Sequence, residues 1–133
     1  WRARAPPLIV TGNNDMSKTE LGSAKRLNEL IALLSKTVDS RVGGNTEKSY
    51  TARLIKSGPI RCGKKIAEEG AEVALAIAAQ GRKEVASETA DLLFHLLVGL
   101  RAKGVSLDMV ADALAERRGV SGLAEKAART QKD

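Results

Sequence analysis

The most apolar segment of the chain runs from Lys64 to Leu100 and reads "KKIAEEGAEVALAIAAQGRKEVASETADLLFHLLVGL". Its apolar residues recur at helical spacing on both sides of a break at Gln80-Gly81, which predicts two long helices joined by a tight turn. Five acids nevertheless lie inside this apolar segment: Glu68, Glu69, Glu72, Glu88 and Asp91. Acids in the most apolar part of a small protein need a chemical reason.

The composition favours a single domain of packed helices. The chain has 133 residues, which suits one domain, and 43% of them are apolar. Aromatic residues make up only 2% of the chain. Because strands favour aromatic and β-branched side chains, an aliphatic core suits packed helices better than a sandwich or a barrel.

The charge and the single cysteine limit the partners and the compartment. A formal net charge of +6 fits a polyanionic ligand, either nucleic acid or a small polyphosphate, and also fits a solvated basic surface. The scarcity of aromatic rings argues against nucleic-acid binding by stacking. Cys62 is the only cysteine, which excludes an internal disulfide and fits a reducing compartment. No apolar run approaches the ~20 residues of a membrane span. We expect a cytoplasmic protein without nucleic-acid or membrane partners.

The coarse pattern along the chain predicts an all-α bundle of four to five helices around a central antiparallel helix hairpin. The predicted helices cover residues 23–40, 51–57, 60–80, 82–103 and 107–118. Gly43-Gly44-Asn45 marks a linker after the first of them. We interpret residues 1–22 as a disordered N-terminal extension, with a weak transit peptide as the alternative. Residues 23–133 then form the domain.

The acids fall on one stripe of each hairpin helix. On a helical wheel, Glu69 and Glu72 lie within about 60° of each other, in the arc that carries bulky apolar residues. Glu88, Asp91 and His95 form a second stripe at i, i+3 and i+7 on a helix that is apolar nearly all round. Such a helix is typically buried. The two stripes should face each other across the hairpin.

Ion pairing explains only part of this pattern. Lys64 and Lys65 lie four residues before Glu68 and Glu69, the spacing of helical ion pairs. The other three acids have no base at that spacing, and carboxylates brought together repel one another. A divalent cation removes the repulsion, and oxygen ligands favour Mg²⁺, Mn²⁺ or Ca²⁺ over zinc. The predicted metal ligands are Glu69, Glu72, Glu88 and Asp91. His95 is either a satisfied core residue or a contact of this site.

The motifs resemble the all-α nucleotide pyrophosphohydrolase superfamily. Glu-Glu-x-x-Glu followed one hairpin later by Glu-x-x-Asp is similar to its metal motif. Within that group, "SYTARLIKSGPIRCGKKIAEEGAEVALA" (49–76) and "ETADLLFHLLVGLRAKGVSLDMVADALAERRG" (88–119) resemble the phosphoribosyl-ATP pyrophosphohydrolase family. The resemblance covers about residues 25–129. It implies hydrolysis of phosphoribosyl-ATP to phosphoribosyl-AMP and pyrophosphate, the second step of histidine biosynthesis, by a stand-alone enzyme.

The resemblance also implies residue roles. It gives the four acids above a Mg²⁺ ion, for which Mn²⁺ can substitute, and makes Glu68 and Glu69 catalytic, with Glu68 orienting or deprotonating the attacking water. The candidates for contacts to the phosphates of the nucleotide are Lys64, Lys65 and Arg53. Arg117 and Arg118 are further candidates for the phosphate of the phosphoribosyl unit.

Two other functions fit parts of the sequence. A house-cleaning hydrolase of non-standard nucleoside triphosphates would share the metal motif and differ in its substrate pocket. A non-enzymatic basic helical binding protein would use the positive charge but leave the acids in the hairpin unexplained. The apolar hairpin among modest helices predicts self-association, and the resemblance implies a homodimer.

Overall fold

The computed structural model describes residues 18–117, and every regular element in that range is an α-helix. The helices are α1 (Lys18–Ser40), α2 (Tyr50–Lys56), α3 (Pro59–Ala79), α4 (Arg82–Lys103) and α5 (Leu107–Ala115). They confirm the predicted all-α fold with a central hairpin, formed by α3 and α4. Residues 1–17 of the predicted extension, Arg118 and the C-terminal tail lie outside the described residues.

Local sequence signals explain several helix ends. The hydroxyl oxygen of Ser49 accepts a hydrogen bond of 3.2 Å from a backbone N–H in the first turn of α2 and so caps that helix. Pro59 occupies the first position of α3, where a missing N–H does no harm. Gly104 ends α4 in the left-handed conformation (φ 74°), and across that turn the N–H of Val105 donates to the carbonyl of Leu100 at 2.9 Å.

Three helices begin earlier than the sequence predicts, α3 by a single residue. α1 includes residues 18–22, which the sequence assigns to the extension. Gly22 lies inside this helix. A single glycine lowers helix stability by only about 1 kcal/mol, so it need not end the helix. α2 begins at Tyr50, inside the predicted linker, because Ser49 caps it there.

α3 and α4 pack more extensively than any other pair of described helices, and one close approach shapes their contact. A methyl group added at Gly99 would lie 2.7 Å from Cδ1 of Ile66 and 3.6 Å from Cβ of Cys62. The absence of a side chain at Gly99 therefore lets the helices meet closely at this level. At the other end of the hairpin, the two residues Gln80-Gly81 connect the helices. The pair is thus held together at both ends.

Four helices contribute to one small apolar core. Its buried side chains are Val38 of α1, Ala52 and Leu54 of α2, Cys62 and Ala76 of α3, and Leu97 and Val98 of α4. An ion pair of 2.7 Å between Arg101 Nε and Asp39 Oδ1 also joins α4 to the end of α1. Burial raises the pKa of the Cys62 thiol, which contacts the Leu54 carbonyl at 3.5 Å. The thiol therefore stays protonated and unreactive at neutral pH.

Many large apolar side chains of α1 and α3 lie outside this core. The exposed ones are Leu27, Leu30 and Leu33 of α1, and Ile60, Leu75 and Ile77 of α3. Ile60 is 85% exposed. The sequence predicts surplus apolar surface on the hairpin but not which residues are exposed, because a wheel shows which residues share a face but not what covers that face.

Helix α5 belongs to a different compact unit from the other four helices. Among the described residues, 18–106 belong to one compact unit and 107–117 belong to a second. α5 starts directly after Ser106, where the sequence predicts a helix, and it carries Asp108 in its first turn. In the part of the chain that the structure describes, no helix is both long and apolar enough to cross a membrane.

Candidate active site

Three carboxylates from the two hairpin helices converge on one point. Glu69 belongs to α3, whereas Glu88 and Asp91 belong to α4. One oxygen from each of these side chains lies within 4.8 Å of the other two. Glu88 and Asp91 share a face of α4 because they are three residues apart. The structure thus brings together three of the four acids that the sequence nominates as metal ligands.

Glu69 is the buried member of this cluster. It is only 7% exposed, and it lies two turns from Cys62 and two turns from Ala76, both buried on the same stripe of α3. The packing of the hairpin itself therefore removes Glu69 from water. Of the other acids in the segment, Glu88 is half-buried, and Glu68, Glu72 and Asp91 are exposed. Of the five acids, only Glu69 is buried, and the others lie at the edge of the apolar contact between the helices or in solvent.

Glu72 approaches the cluster from the next turn of α3. The charge of Glu69 raises the pKa of the Glu72 carboxyl, and partial loss of water and the charge of Glu88 add to the rise. Glu72 is therefore near two members of the cluster. The four acids repel one another unless a cation lies among them.

Lys65 is a protein cation that already contacts the acids. Its Nζ lies 2.8 Å from Glu68 Oε2 and 3.1 Å from Glu69 Oε1. Hydrogen bonds to these two carboxylates raise the pKa of Lys65. The bond from Lys65 also lowers the pKa of Glu68, so that Glu68 is ionised at neutral pH. The sequence predicts pairs of Lys64 with Glu68 and of Lys65 with Glu69. The second pair is present, whereas Glu68 pairs with Lys65 instead of Lys64.

His95 is buried beside Glu69 and is held at both ring nitrogens. Nδ1 lies 2.9 Å from the carbonyl oxygen of Asp91 and 3.7 Å from Glu69 Oε1. Nε2 lies 3.3 Å from the hydroxyl of Tyr50 on α2. Since a carbonyl can only accept, Nδ1 donates to Asp91, and Nε2 of the neutral ring accepts from Tyr50. The ring also meets the rings of Phe94 and Tyr50 edge to face.

The donor set fits a hard divalent cation. It consists of carboxylate oxygens, which suit Mg²⁺, Mn²⁺ and Ca²⁺. Oxygens on opposite sides of Mg²⁺ are about 4.2 Å apart, so a group already within 4.8 Å needs little movement to coordinate it. The raised pKa of Glu72 is a second sign of uncompensated negative charge at this point. The described residues can therefore hold such an ion.

Comparison with known proteins decides the family. A model of the family "Phosphoribosyl-ATP pyrophosphohydrolase" matches residues 31–118, which include every acid of the cluster. The chain belongs to the phosphoribosyl-ATP pyrophosphohydrolase family. A "Phosphoribosyl-ATP pyrophosphatase" of Caulobacter sp. strain K31 is 51% identical over 104 residues, or 78% of this chain and 96% of that protein. "Phosphoribosyl-ATP pyrophosphatase 1" of Rhodopseudomonas palustris is 48% identical over 96 residues, or 72% and 90% of the two chains.

The basic residues predicted to contact phosphate lie in different parts of the structure. Lys64 is exposed on α3, and its charge contributes to the lowered pKa of Glu68. Arg53 is exposed on α2, three residues after Tyr50 and therefore on a neighbouring part of the same face. Arg117 lies just beyond α5, in the unit that is described separately, and Arg118 lies outside the described residues.

Tyr50 is the residue of this site that sequence reasoning missed. Its role depends on how α2 docks beside α4, which no periodicity within α2 reveals. Two signals were available: Tyr50 is the only tyrosine of the chain, and it directly follows the Ser49 cap. The sequence allows His95 to be either a core residue or a contact of the site. Its distance of 3.7 Å to Glu69 places it beside the cluster.

Repulsion within the acid group predicts a stability effect at Glu72. We expect Glu72→Gln to raise the melting temperature by roughly 2 °C at pH 7 in buffer with a chelator. The folded protein raises the pKa of Glu72 and so binds its proton more tightly than the unfolded chain does. The unfavourable contribution is therefore present above that pKa and fades as the pH falls through it.

Melting curves at pH 7 and pH 4 in chelator check this expectation. The gain should shrink at pH 4, where the carboxyl of the unaltered protein is itself protonated. Glu84→Gln is the matched control, because Glu84 is an exposed acid of α4 outside the cluster. A melting temperature that falls at pH 7 on replacement of Glu72 would mean that its charge is compensated within the protein.

Proposed function

We propose that this protein hydrolyses phosphoribosyl-ATP to phosphoribosyl-AMP and pyrophosphate in a Mg²⁺-dependent reaction, the second step of histidine biosynthesis. The observation that carries the proposal is the convergence of Glu69, Glu88 and Asp91 on facing helices in a chain of this family. The single buried cysteine fits a reducing compartment, and we place the reaction in the cytoplasm.

In this proposal the acids of the hairpin hold the ion. Glu69, Glu88 and Asp91 supply the three oxygens that lie together, and Glu72 supplies a fourth from the next turn. When bound, Mg²⁺ neutralises charge on the phosphate oxygens and on the departing pyrophosphate, and Mn²⁺ can substitute for it. Asp91 and Glu72 are exposed, so a cation and a nucleotide could reach the cluster from solvent.

Lys65 and Glu68 have complementary roles beside the acids. Lys65 Nζ already lies within 3.1 Å of carboxylate oxygens, so a polyphosphate at the cluster would come within reach of its positive charge. Glu68 is exposed and ionised, and it can accept a hydrogen bond from the water that attacks phosphorus. Its lowered pKa makes it a weak base, which favours orientation of the water over removal of its proton. Attack forms the new P–O bond as the bond to the leaving phosphate oxygen breaks.

Helix α2 is our candidate for part of the substrate surface. It reaches the site through the contact of Tyr50 with His95, and it carries Arg53 and Lys56 at helical spacing. An open groove of about 690 Å³ runs between α2 and the loop at residues 43–47, and Lys56 lines it. These basic groups can supply contacts to the phosphates of a nucleotide that carries an additional phosphoribosyl unit.

Release of pyrophosphate from a panel of nucleotides tests the proposal. The purified protein is given phosphoribosyl-ATP, ATP and non-standard nucleoside triphosphates, each with Mg²⁺ and with a chelator. We expect turnover of phosphoribosyl-ATP that requires the metal and exceeds turnover of the other nucleotides. Equal catalytic efficiency on all of them would favour a house-cleaning hydrolase. No pyrophosphate from any nucleotide would favour a non-enzymatic helical protein.

We also propose that the protein is a homodimer. Six large apolar side chains of α1 and α3 are exposed in the single chain, and exposed apolar surface of this kind is typical of an interface between subunits. A second copy of the chain would cover this apolar surface, which the short helices of a single chain leave exposed.

Light scattering at micromolar concentration measures the assembly directly. We expect the mass of two chains, each of 14.1 kDa. The melting temperature should also rise with protein concentration, because association stabilises the folded state by mass action. A mass of one chain that does not change with concentration would contradict the dimer.

A further inference from the structure

His95 connects the two helices of the acid cluster. Its Nδ1 lies 2.9 Å from the carbonyl of Asp91 on its own helix and 3.7 Å from the carboxylate of Glu69 on α3. The ring is 7% exposed, as is Glu69. A buried imidazole thus lies beside the one buried acid of the cluster, and it bonds to the backbone of another.

Tyr50 fixes the orientation of that imidazole from a third helix. Its hydroxyl lies 3.3 Å from Nε2, and its ring meets the imidazole at 82° with 6.3 Å between centroids. Phe94 contacts the imidazole as well, at 77° and 5.0 Å. With a hydrogen bond at each nitrogen and two aromatic contacts, His95 can neither flip nor exchange its tautomer without losing a partner.

We propose that Tyr50 and His95 are positioning residues that hold the Glu69 carboxylate in place for metal binding. Glu69 is a flexible side chain on its own, and in this structure Lys65 Nζ and His95 Nδ1 lie 3.1 and 3.7 Å from the same oxygen, Oε1. The imidazole limits where that carboxylate can turn, and Tyr50 limits where the imidazole can turn. The inference rests on the proposed function, because it assumes that Glu69 serves as a ligand.

A simple packing role for His95 makes a different prediction. If the ring only fills space in the core, an apolar side chain of similar size could replace it, and the hydroxyl of Tyr50 would have no effect on metal binding. If the ring positions Glu69, affinity for the metal depends on its hydrogen bonds. Partners that orient a metal ligand from outside the ligand shell typically affect metal affinity or activity by about 10–100-fold.

Binding of Mn²⁺ to metal-free protein, measured by the paramagnetic resonance signal of free Mn²⁺, separates these roles without any turnover. We expect His95→Leu to weaken Mn²⁺ binding by about 10–100-fold. His95→Asn should restore part of the loss, because the amide nitrogen of asparagine can take the place of Nδ1. Tyr50→Phe removes one hydroxyl from a half-exposed ring, so the fold should survive, and we expect roughly three- to tenfold weaker binding.

Val98→Ala is the control for a loss of Mn²⁺ affinity that arises only because α4 packs less tightly. Val98 is fully buried on the same helix, one turn from His95, so its truncation should lower the melting temperature. Affinity of this variant for Mn²⁺ should stay within about twofold, because Val98 does not orient the cluster in our proposal. Equal losses of affinity in Val98→Ala and His95→Leu would overturn the positioning role.

Two further outcomes distinguish failure of this inference from failure of the proposed function. If the unaltered protein binds Mn²⁺ and hydrolyses phosphoribosyl-ATP, but Tyr50→Phe and His95→Leu bind Mn²⁺ as tightly, the positioning role is wrong and the proposed function stands. If the unaltered protein hydrolyses the nucleotide without binding Mn²⁺, the metal site is wrong, and the positioning role fails with it.

Discussion

Asp91→Asn and Glu69→Gln should each reduce Mg²⁺-dependent turnover of phosphoribosyl-ATP by about a thousandfold or more, with little change in helix content. Each change keeps the shape of the side chain and removes one charged oxygen donor from the cluster. Charge stabilisation by a bound metal is worth several kcal/mol in the transition state, and about 4 kcal/mol corresponds to a thousandfold in rate. Single-turnover rates at saturating Mg²⁺, together with circular dichroism, measure both parts of this expectation.

The same experiment has a matched control on the same helix. Glu84→Gln removes an exposed acid of α4 that lies outside the cluster, and its turnover should stay within about threefold of the unaltered protein. Near-normal turnover by the Asp91 and Glu69 variants at low Mg²⁺ would eliminate the cluster as the metal site. Recovery only at high Mg²⁺ would instead show weakened binding at an intact site.

The double variant Arg117→Ala, Arg118→Ala should lose about a hundredfold or more in catalytic efficiency on phosphoribosyl-ATP and much less on ATP. A charge-assisted contact contributes about 1.5–3 kcal/mol, and two lost contacts add up to that factor. The ratio of the two efficiencies is the quantity to measure.

Lys25→Ala with Arg26→Ala is the charge-matched control for this pair. It also removes two adjacent positive charges, from exposed positions of α1, and so lowers the net charge equally. We expect it to leave the preference for phosphoribosyl-ATP over ATP unchanged. A similar fall in efficiency for both double variants would indicate general electrostatic attraction of the nucleotide, with no specific contact from Arg117 and Arg118.

Periodicity predicted the parts of the structure that depend on single helices. The helix at residues 82–103 was predicted with the boundaries it has, because the break at Gln80-Gly81 precedes it and Gly104 ends it. The convergence of Glu69 with Glu88 and Asp91 also followed from two stripes on adjacent antiparallel helices. For these features, residue spacing and a short connection determine the geometry.

Features that depend on contacts between elements distant in sequence could not be predicted from the sequence. Burial of Glu69, but not of Glu72, depends on which turn of α3 meets α4 most closely, and this is set by packing around Gly99 and Cys62. The bond from Tyr50 to His95 depends on where a seven-residue helix docks after a loop. Neither follows from a pattern within one helix.

The close approach at Gly99 makes two positions of the hairpin interdependent in volume. A larger side chain at residue 99 would compete with the side chain of Ile66 for the same space between the helix axes. Gly99→Ala and Ile66→Val would thus be compatible together, whereas the first alone would need Ile66 to turn aside or the axes to separate. The separation of the two helices that carry the acids therefore depends on the combined volume of these two side chains, about one turn from Glu69 on α3 and about two turns from Asp91 on α4.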